Sequence, residues 1–203
     1  MKVRCVRPQL AGFWPALFLL IAILACNLNV NMPSAPKPPN PSLTPSPSEA
    51  DAFEQAFRQA IQQASQSGTF NVTVTQSQLS SWLALRAGAY AQQQGYEWPL
   101  KDVQAALDNG TITLYGVIVR QNVPETPAQV IFTPAIDGNG QLTVSVQSGQ
   151  FGVVGVPNDL LSQLNQAIQK ALTSQLGQIQ GRYKLTALSI TGGNLTVSGQ
   201  IIR

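Results

Sequence analysis

Apolar and polar positions alternate through much of the second half of this chain. Leu142, Val144 and Val146 alternate with Thr143, Ser145 and Gln147, the period-two signature of a strand with one buried face. Gly149, Gly152, Gly155 and Pro157 interrupt the pattern, and Asn158 or Asp159 can then cap a helix whose entry Pro157 fixes. Nine apolar residues from Leu160 to Ile179, among them Leu164, Ile168 and Leu172, fall within an arc of roughly 180° on that helix. An arc of about 100° is enough to seat a helix on a core. The opposite face is glutamine, serine and threonine with Lys170 among them, so the surplus apolar width needs a partner.

Upstream, Ala52, Phe53, Ala56, Phe57, Ala60, Ile61 and Ala64 recur at helical spacing, with Ser48 as N-cap, Asp51 in the first turn, and Gly68 as the stop. Phe53 and Phe57 are expected to be buried. Residues 70–74 read as a short strand, and Thr75 with Gln78 forms a capping box for a second helix that carries Leu79, Trp82, Leu83 and Tyr90 on one face. Large aromatics at such spacing are core residues more often than ligand platforms.

From Pro99 to Pro157 the pattern is strand throughout. Val103, Ala105 and Leu107 precede the turn signal Asp108-Asn109-Gly110. Ile112, Leu114, Gly116 and Ile118 share a face of the strand from Thr111 to Arg120, whose other face is also partly apolar. Residues 123–127 read as a loop. Gln129 to Ile136 is a strand in which Pro134 marks an edge or a bulge. Asp137 to Gly140 makes the next hairpin turn. After Gly181, strands at 184–190 and 195–202 flank the turn Thr191-Gly192-Gly193-Asn194. Tight turns between consecutive strands mean an antiparallel meander, with helices on one of its faces. The expected class is α+β: a curved antiparallel sheet wrapped around a long amphipathic helix, with two further helices.

The formal net charge of +3 changes little in this picture. Three of the twelve basic residues, Lys2, Arg4 and Arg7, precede the first apolar run, leaving nine to balance nine acidic residues. The domain therefore carries no basic footprint for nucleic acid. The basic cluster and the apolar run from Leu10 to Ala25 read as an export signal. As a helix that run spans about 24 Å, short of a hydrocarbon core of about 30 Å. Ile23-Leu24-Ala25-Cys26 resembles a lipoprotein signal with Cys26 as the lipidated residue, although Leu24 departs from the usual small residue there. The other reading is an uncleaved signal anchor extended through Val30. Both readings put the remainder outside the cytoplasmic membrane, because the positive flank stays inside. Residues 1–26 are thus leader, residues 27–48 a Pro-rich linker, and residues 49–203 the domain. Seven prolines between Pro33 and Pro47 favour extended, semi-rigid geometry.

Candidate chemistry is sparse. The chain has no histidine and two cysteines, of which Cys5 lies in the leader. That leaves no Cys-based metal site and no general base of the commonest type. No Gly-rich loop precedes a Lys-Ser/Thr pair, and no G-x-S-x-G occurs. Asp102, Asp108 and Asp137 sit at strand ends or turns, where aspartate commonly forms turns. The expectation is a protein that is not an enzyme, with no catalytic residues, no metal and no cofactor.

Four stretches carry a resemblance. These are VTVTQSQLSSWL at 72–83, DNGTITLYGVI at 108–118, GQLTVSVQSGQFGVVGVPNDLLSQLNQAI at 140–168 and LTALSITGGNLTVSGQI at 185–201. Together they make the chain resemble the tubular lipid-binding superfamily, in particular its small bacterial membrane-anchored members, the LmeA-like and YpmS-like proteins. The order of elements carries the likeness, since no single motif in it is specific. The resemblance implies a curved sheet around a long helix and an apolar groove for lipid acyl chains. It implies a membrane-tethered, extracytoplasmic lipid-binding or lipid-transfer domain in the bacterial cell envelope. Val154, Val156, Leu164, Ile168 and Leu172 are the expected lining, and Arg86, Lys101 or Arg182 could meet a head group. The partners expected are a lipid or other apolar small molecule and the membrane, with no protein partner indicated. The other reading is a cell-surface accessory or scaffold domain whose core is filled and which holds no ligand.

Overall fold

In the computed structural model the described residues are 34–93, 98, 100–120, 123–158, 161–162, 165–166 and 183–202. The first helix, α1, runs Pro47–Ser67. Its N-cap is Ser46, two residues before the expected Ser48, because Pro47 supplies a fixed φ at the first helical position. Gly68 ends it in the left-handed conformation, φ 78°, where glycine carries no Cβ penalty. Strand β1, Thr69–Thr75, follows directly. Thr75 then forms the expected capping box: its Oγ1 accepts from the Gln78 N–H at 3.1 Å, and Gln78 Oε1 accepts from the Thr75 N–H at 2.9 Å. The second helix is broken at Arg86 into α2, Gln76–Leu85, and α3, Ala87–Gln93.

The strands are β2 Leu100–Asp108, β3 Thr111–Arg120, β4 Val123–Ile136, β5 Leu142–Phe151, β6 Val154–Gly155, β7 Tyr183–Thr191 and β8 Asn194–Ile201. Every pairing is antiparallel, and the protein is α+β. The expected single meander is two sheets. One has the order β2-β3-β4-β5-β6 and the other β1-β8-β7, with no closed barrel among the described strands. The meander thus holds only for β2 to β6. The segment expected as a loop, 123–127, is the start of β4, with Thr126 opposite Ile118 and Pro127 opposite Val117. Pro134 pairs with Val144 of β5, beyond the last β3 partner at Phe132, so it sits where β4 is locally an edge.

Cross-strand register assigns the faces. Leu107, Ile112 and Phe132 are successive partners, as are Ala105, Leu114, Val130 and Gly149, so these residues share one face of the five-stranded sheet. Gln104, Tyr115, Gln129 and Gln150 form a row across the opposite face. In the three-stranded sheet, Val72, Val197 and Leu188 share a face with Val74, Leu195 and Ile190.

That apolar face is divided between two neighbours. Over β1 it meets α1, where Phe53, Ala56 and Ala60 pack with Val72 and Val74. Towards β7 it meets the five-stranded sheet, where Leu107, Ile112 and Ile190 are buried together with Leu79 and Phe132 against them. Helix α2 runs along the β2 edge and satisfies its backbone. Ser80 Oγ donates to the Ala105 carbonyl and accepts from the Ala105 N–H, and Gln76 Oε1 accepts from the Leu107 N–H. Phe53 stacks on Trp82, ring centroids 5.2 Å apart, whereas Phe57, expected in the core, is 41% exposed.

The Pro-rich segment lies along this domain from Ser34 onward. Its Ser34 carbonyl accepts from Gln150 on β5, its Asn40 N–H donates to Gln104 on β2, and its Ser46 N–H donates to Ser81 on α2. Three strand spacings separate β5 from β2, about 14 Å, a distance that residues 34–40 cover in extended form at about 3.1 Å each. Pro36 and Tyr115, at the middle of the crossed row, are buried.

Candidate functional site: an apolar groove between the two sheets

The two apolar faces do not close completely on each other. Between them lies a space of about 340 Å³. The five-stranded sheet contributes Ile112 and Leu114 from β3, Phe132 and Pro134 from β4, and Leu142 and Val144 from β5. The three-stranded sheet contributes Leu185 and Leu188 from β7, and Leu195 and Val197 from β8. No polar or charged side chain is among these described lining residues.

Local sequence explains why each wall is apolar. The lining positions of β3, β5 and β8 are alternate residues of period-two strands, which place every second side chain on one face. Ile112 and Val144 are buried, and most of the others are half-buried, the state of side chains that border a space rather than fill it. Gly140 holds one end of the site together. Its φ of 77° and its contact with β7 leave no room for a side chain: a Cβ there would lie 2.9 Å from the Leu185 carbonyl oxygen. The Leu185 N–H donates to the Gly140 carbonyl at 2.9 Å, fixing β7 against the β4–β5 turn.

The groove face also receives the chain after β6. Val156 donates its N–H to the Gly149 carbonyl at 2.8 Å, and a Cβ on Gly149 would lie 2.9 Å from Val156 Cγ2 and 3.3 Å from Leu161 Cδ2. The absence of a side chain at 149 therefore lets this segment seat on the sheet. Asn158, Leu161, Ser162, Asn165 and Gln166 are helical. The Val146 N–H donates to Asn165 Oδ1 at 3.3 Å. The described part of this helix thus advances along β5 from Gly149 towards Val146, on the side where the groove lies.

The expected lining fares unevenly. Val154 is 64% exposed on β6, at the far end of the sheet, and does not line the groove. It belongs to the short hairpin of β5 and β6, paired with Phe151. Val156 is half-buried against Gly149 and is not among the described lining residues either. Leu164, Ile168 and Leu172 lie outside the described residues, as do Cys26 and Arg182. Arg86 and Lys101 are engaged elsewhere. Arg86 pairs with Asp51 at 2.9 Å, linking the break between α2 and α3 to α1, and Lys101 pairs with Glu125 at 2.6 Å, linking β2 to β4. The Glu125 hydrogen bond raises the Lys101 pKa above its ordinary 10.5. The signal that would have located the groove was the strand alternation at 112–114, 142–144 and 195–197. Leu185 and Leu188, three positions apart, carried no such signal, because the irregular register of β7 at Thr186 is what brings both to one face, whereas Phe132 and Pro134 follow Val130 in regular alternation on β4.

Chemically, this arrangement can exclude water and hold alkyl or aromatic groups. Its described lining offers no nucleophile, acid or base. Among the described residues no group of three or more histidine, cysteine, aspartate or glutamate side chains could hold a metal, and no buried side-chain polar atom lacks a partner. No described helix is long and apolar enough to cross a membrane. No protein-family model, curated protein or solved structure matches the chain.

Proposed function

We propose that this protein is a membrane-tethered, extracytoplasmic domain that binds the acyl chain of a lipid between its two sheets without covalent chemistry. The observation that carries this reading is the space of about 340 Å³ whose described lining is wholly apolar. It is about twice the roughly 150 Å³ of an engineered apolar cavity that stays dry and takes up benzene, which scales to an alkyl chain of about a dozen carbons. Ligand pockets of ordinary proteins begin near this size. Each methylene withdrawn from water contributes about 0.8 kcal/mol, so an acyl chain gains affinity with no charged contact. The leader at 1–26, with Cys26 or an uncleaved anchor, supplies the tether. The wrapping of the sheet around a long helix belongs to the same reading. It is supported by Leu161 against Gly149 and Asn165 bonded to Val146, which start that helix along the groove face.

The test uses residues 34–203, a compact unit that includes the Pro-rich segment. The unit is purified without detergent and weighed under native conditions, then after solvent extraction. The expected result is stoichiometric lipid, with loss of that mass in Leu142→Trp, whose larger side chain occupies the space, while the circular dichroism spectrum stays that of the parent. A protein that carries no lipid and takes up no fluorescent fatty acid would instead be a scaffold domain with a filled core.

A further inference from the structure

The end of the five-stranded sheet away from β7 bears exposed apolar side chains. Phe151 is 39% exposed, Val153 54%, Val154 64%, and Val119, at the neighbouring β3–β4 connection, 41%. Phe151 and Val154 pair across the tight hairpin that joins β5 to β6, with Gly152 at φ 57° making the turn. The Gly152 N–H donates to the Pro127 carbonyl at 2.7 Å, so the hairpin is braced on β4 rather than free to fold back onto the core. Clustered exposed apolar residues of this kind mark interaction sites on soluble domains.

The path of the chain says what they meet. The described chain begins at Ser34, and its carbonyl accepts from Gln150 Nε2 at 2.8 Å. The same Gln150 amide nitrogen donates to the Gly152 carbonyl at 3.1 Å. One side chain therefore binds both the incoming tether and the turn of the apolar hairpin. Residues 27–33 separate Cys26 from this point and span at most about 25 Å even when fully extended. The Pro-rich segment adds no further slack, since it is bonded along the sheet from Ser34 to Ser46.

We infer that the tip formed by Phe151, Val153 and Val154 is a membrane-docking surface that rests in the interfacial layer of the bilayer to which the chain is tethered. This rests on the anchoring part of the reading above and not on the groove being filled. The tether enters at the tip, so membrane attachment brings this end of the sheet to the bilayer first, and the three side chains lose their contact with water there. The opposite end, closed by β7, faces away. Lipid at the membrane is then presented to the end of the domain that carries the hairpin.

The experiment uses the full chain reconstituted in vesicles of equimolar phosphatidylethanolamine and phosphatidylglycerol. A photo-reactive benzoylphenylalanine replaces Val153 in one preparation and Asn139, in the β4–β5 turn at the other end, in a second. Flotation reports anchoring, and mass spectrometry of the labelled peptide after illumination reports the neighbour. The expected result is flotation of both, with lipid adducts on the peptide holding position 153 and none on that holding 139. Adding Val154→Asp to the first preparation should abolish the adduct while flotation is retained. Floating protein that yields no adduct at 153, or equal adducts at both positions, would overturn the docking surface and leave the anchor standing. Protein that does not float would overturn the anchor and the docking surface together. Lipid recovered from the groove of residues 34–203 is a separate readout and is unaffected by either outcome.

Discussion

The two ends of the five-stranded sheet are built from the same parts and have opposite fates. Each end has tight connections with glycine at positive φ: Gly110 and Gly140 at one, Gly152 at the other. Each carries strand-forming aliphatic residues. At the first end the Gly110 N–H donates to the Ile190 carbonyl and the Leu185 N–H to the Gly140 carbonyl, so β7 lies against both turns and the neighbouring leucines and isoleucines are withdrawn from water. At the second end no described element after β6 comes back, and Val153 and Val154 remain in solvent. Hydrophobicity alone does not decide burial. Burial follows from which later segment of the chain arrives, and β7 arrives at only one end.

Four measurements on residues 34–203 can break or sharpen this contrast. The largest effect is expected at the closed end, where Ile190 is 2% exposed. Ile190→Ala should cost about 2–5 kcal/mol in urea unfolding, the range for truncating a packed aliphatic residue. A loss under about 1 kcal/mol would mean that the two sheets are not joined there. Next come the glycines. Gly140→Ala sets left-handed backbone strain beside a Cβ 2.9 Å from a carbonyl oxygen, and about 3 kcal/mol is expected. Gly152→Ala, with the same backbone sign but only Thr126 Cγ2 at 3.5 Å, should cost about 1 kcal/mol. Equal losses at 140 and 152 would erase the distinction between the ends. Third, Val153→Ala should leave the unfolding free energy within about 0.5 kcal/mol of the parent, since the residue is 54% exposed.

The smallest effect concerns pH. Lys101 and Glu125 bridge the open end with both side chains about half exposed. Because the folded state raises the Lys101 pKa, the contribution of this pair is complete below 10.5 and fades as pH rises through the raised value. Melting temperatures of the parent and Lys101→Met should therefore differ little anywhere, as exposed ion pairs contribute little. Any difference should vanish in alkali. A difference that instead appears only below pH 9 would show that Lys101 has another partner.

Much of the local architecture was legible. The Thr75–Gln78 capping box, the Gly68 stop, the Asn109-Gly110 turn and the alternation at Val103, Ala105 and Leu107 are each governed by residues within a few positions of one another. Short-range rules suffice there. The candidate site was legible only in part. Sequence pattern drew attention to the wide apolar arc at 160–179 and to Val154 and Val156. The groove lies instead between strand faces whose own alternation, at Ile112, Leu114, Leu142, Val144, Leu195 and Val197, is plain but does not by itself single out lining residues. No periodicity distinguishes a half-buried residue facing another sheet from one facing an empty space.

The sequence by itself therefore determined the α+β class, the hairpins and which face of each strand is apolar, because sterics and side-chain alternation act between near neighbours. Tertiary structure alone decided that the strands divide into sheets of five and three, and that the Pro-rich segment straps one face. It also left a space between the two apolar faces, closed one end with β7 and exposed a hairpin of valines at the other. These outcomes depend on residues more than forty positions apart meeting in space, such as Gly140 with Leu185 and Ser34 with Gln150. Their contacts are fixed by the sum of packing over the whole domain, and no local stretch encodes that sum.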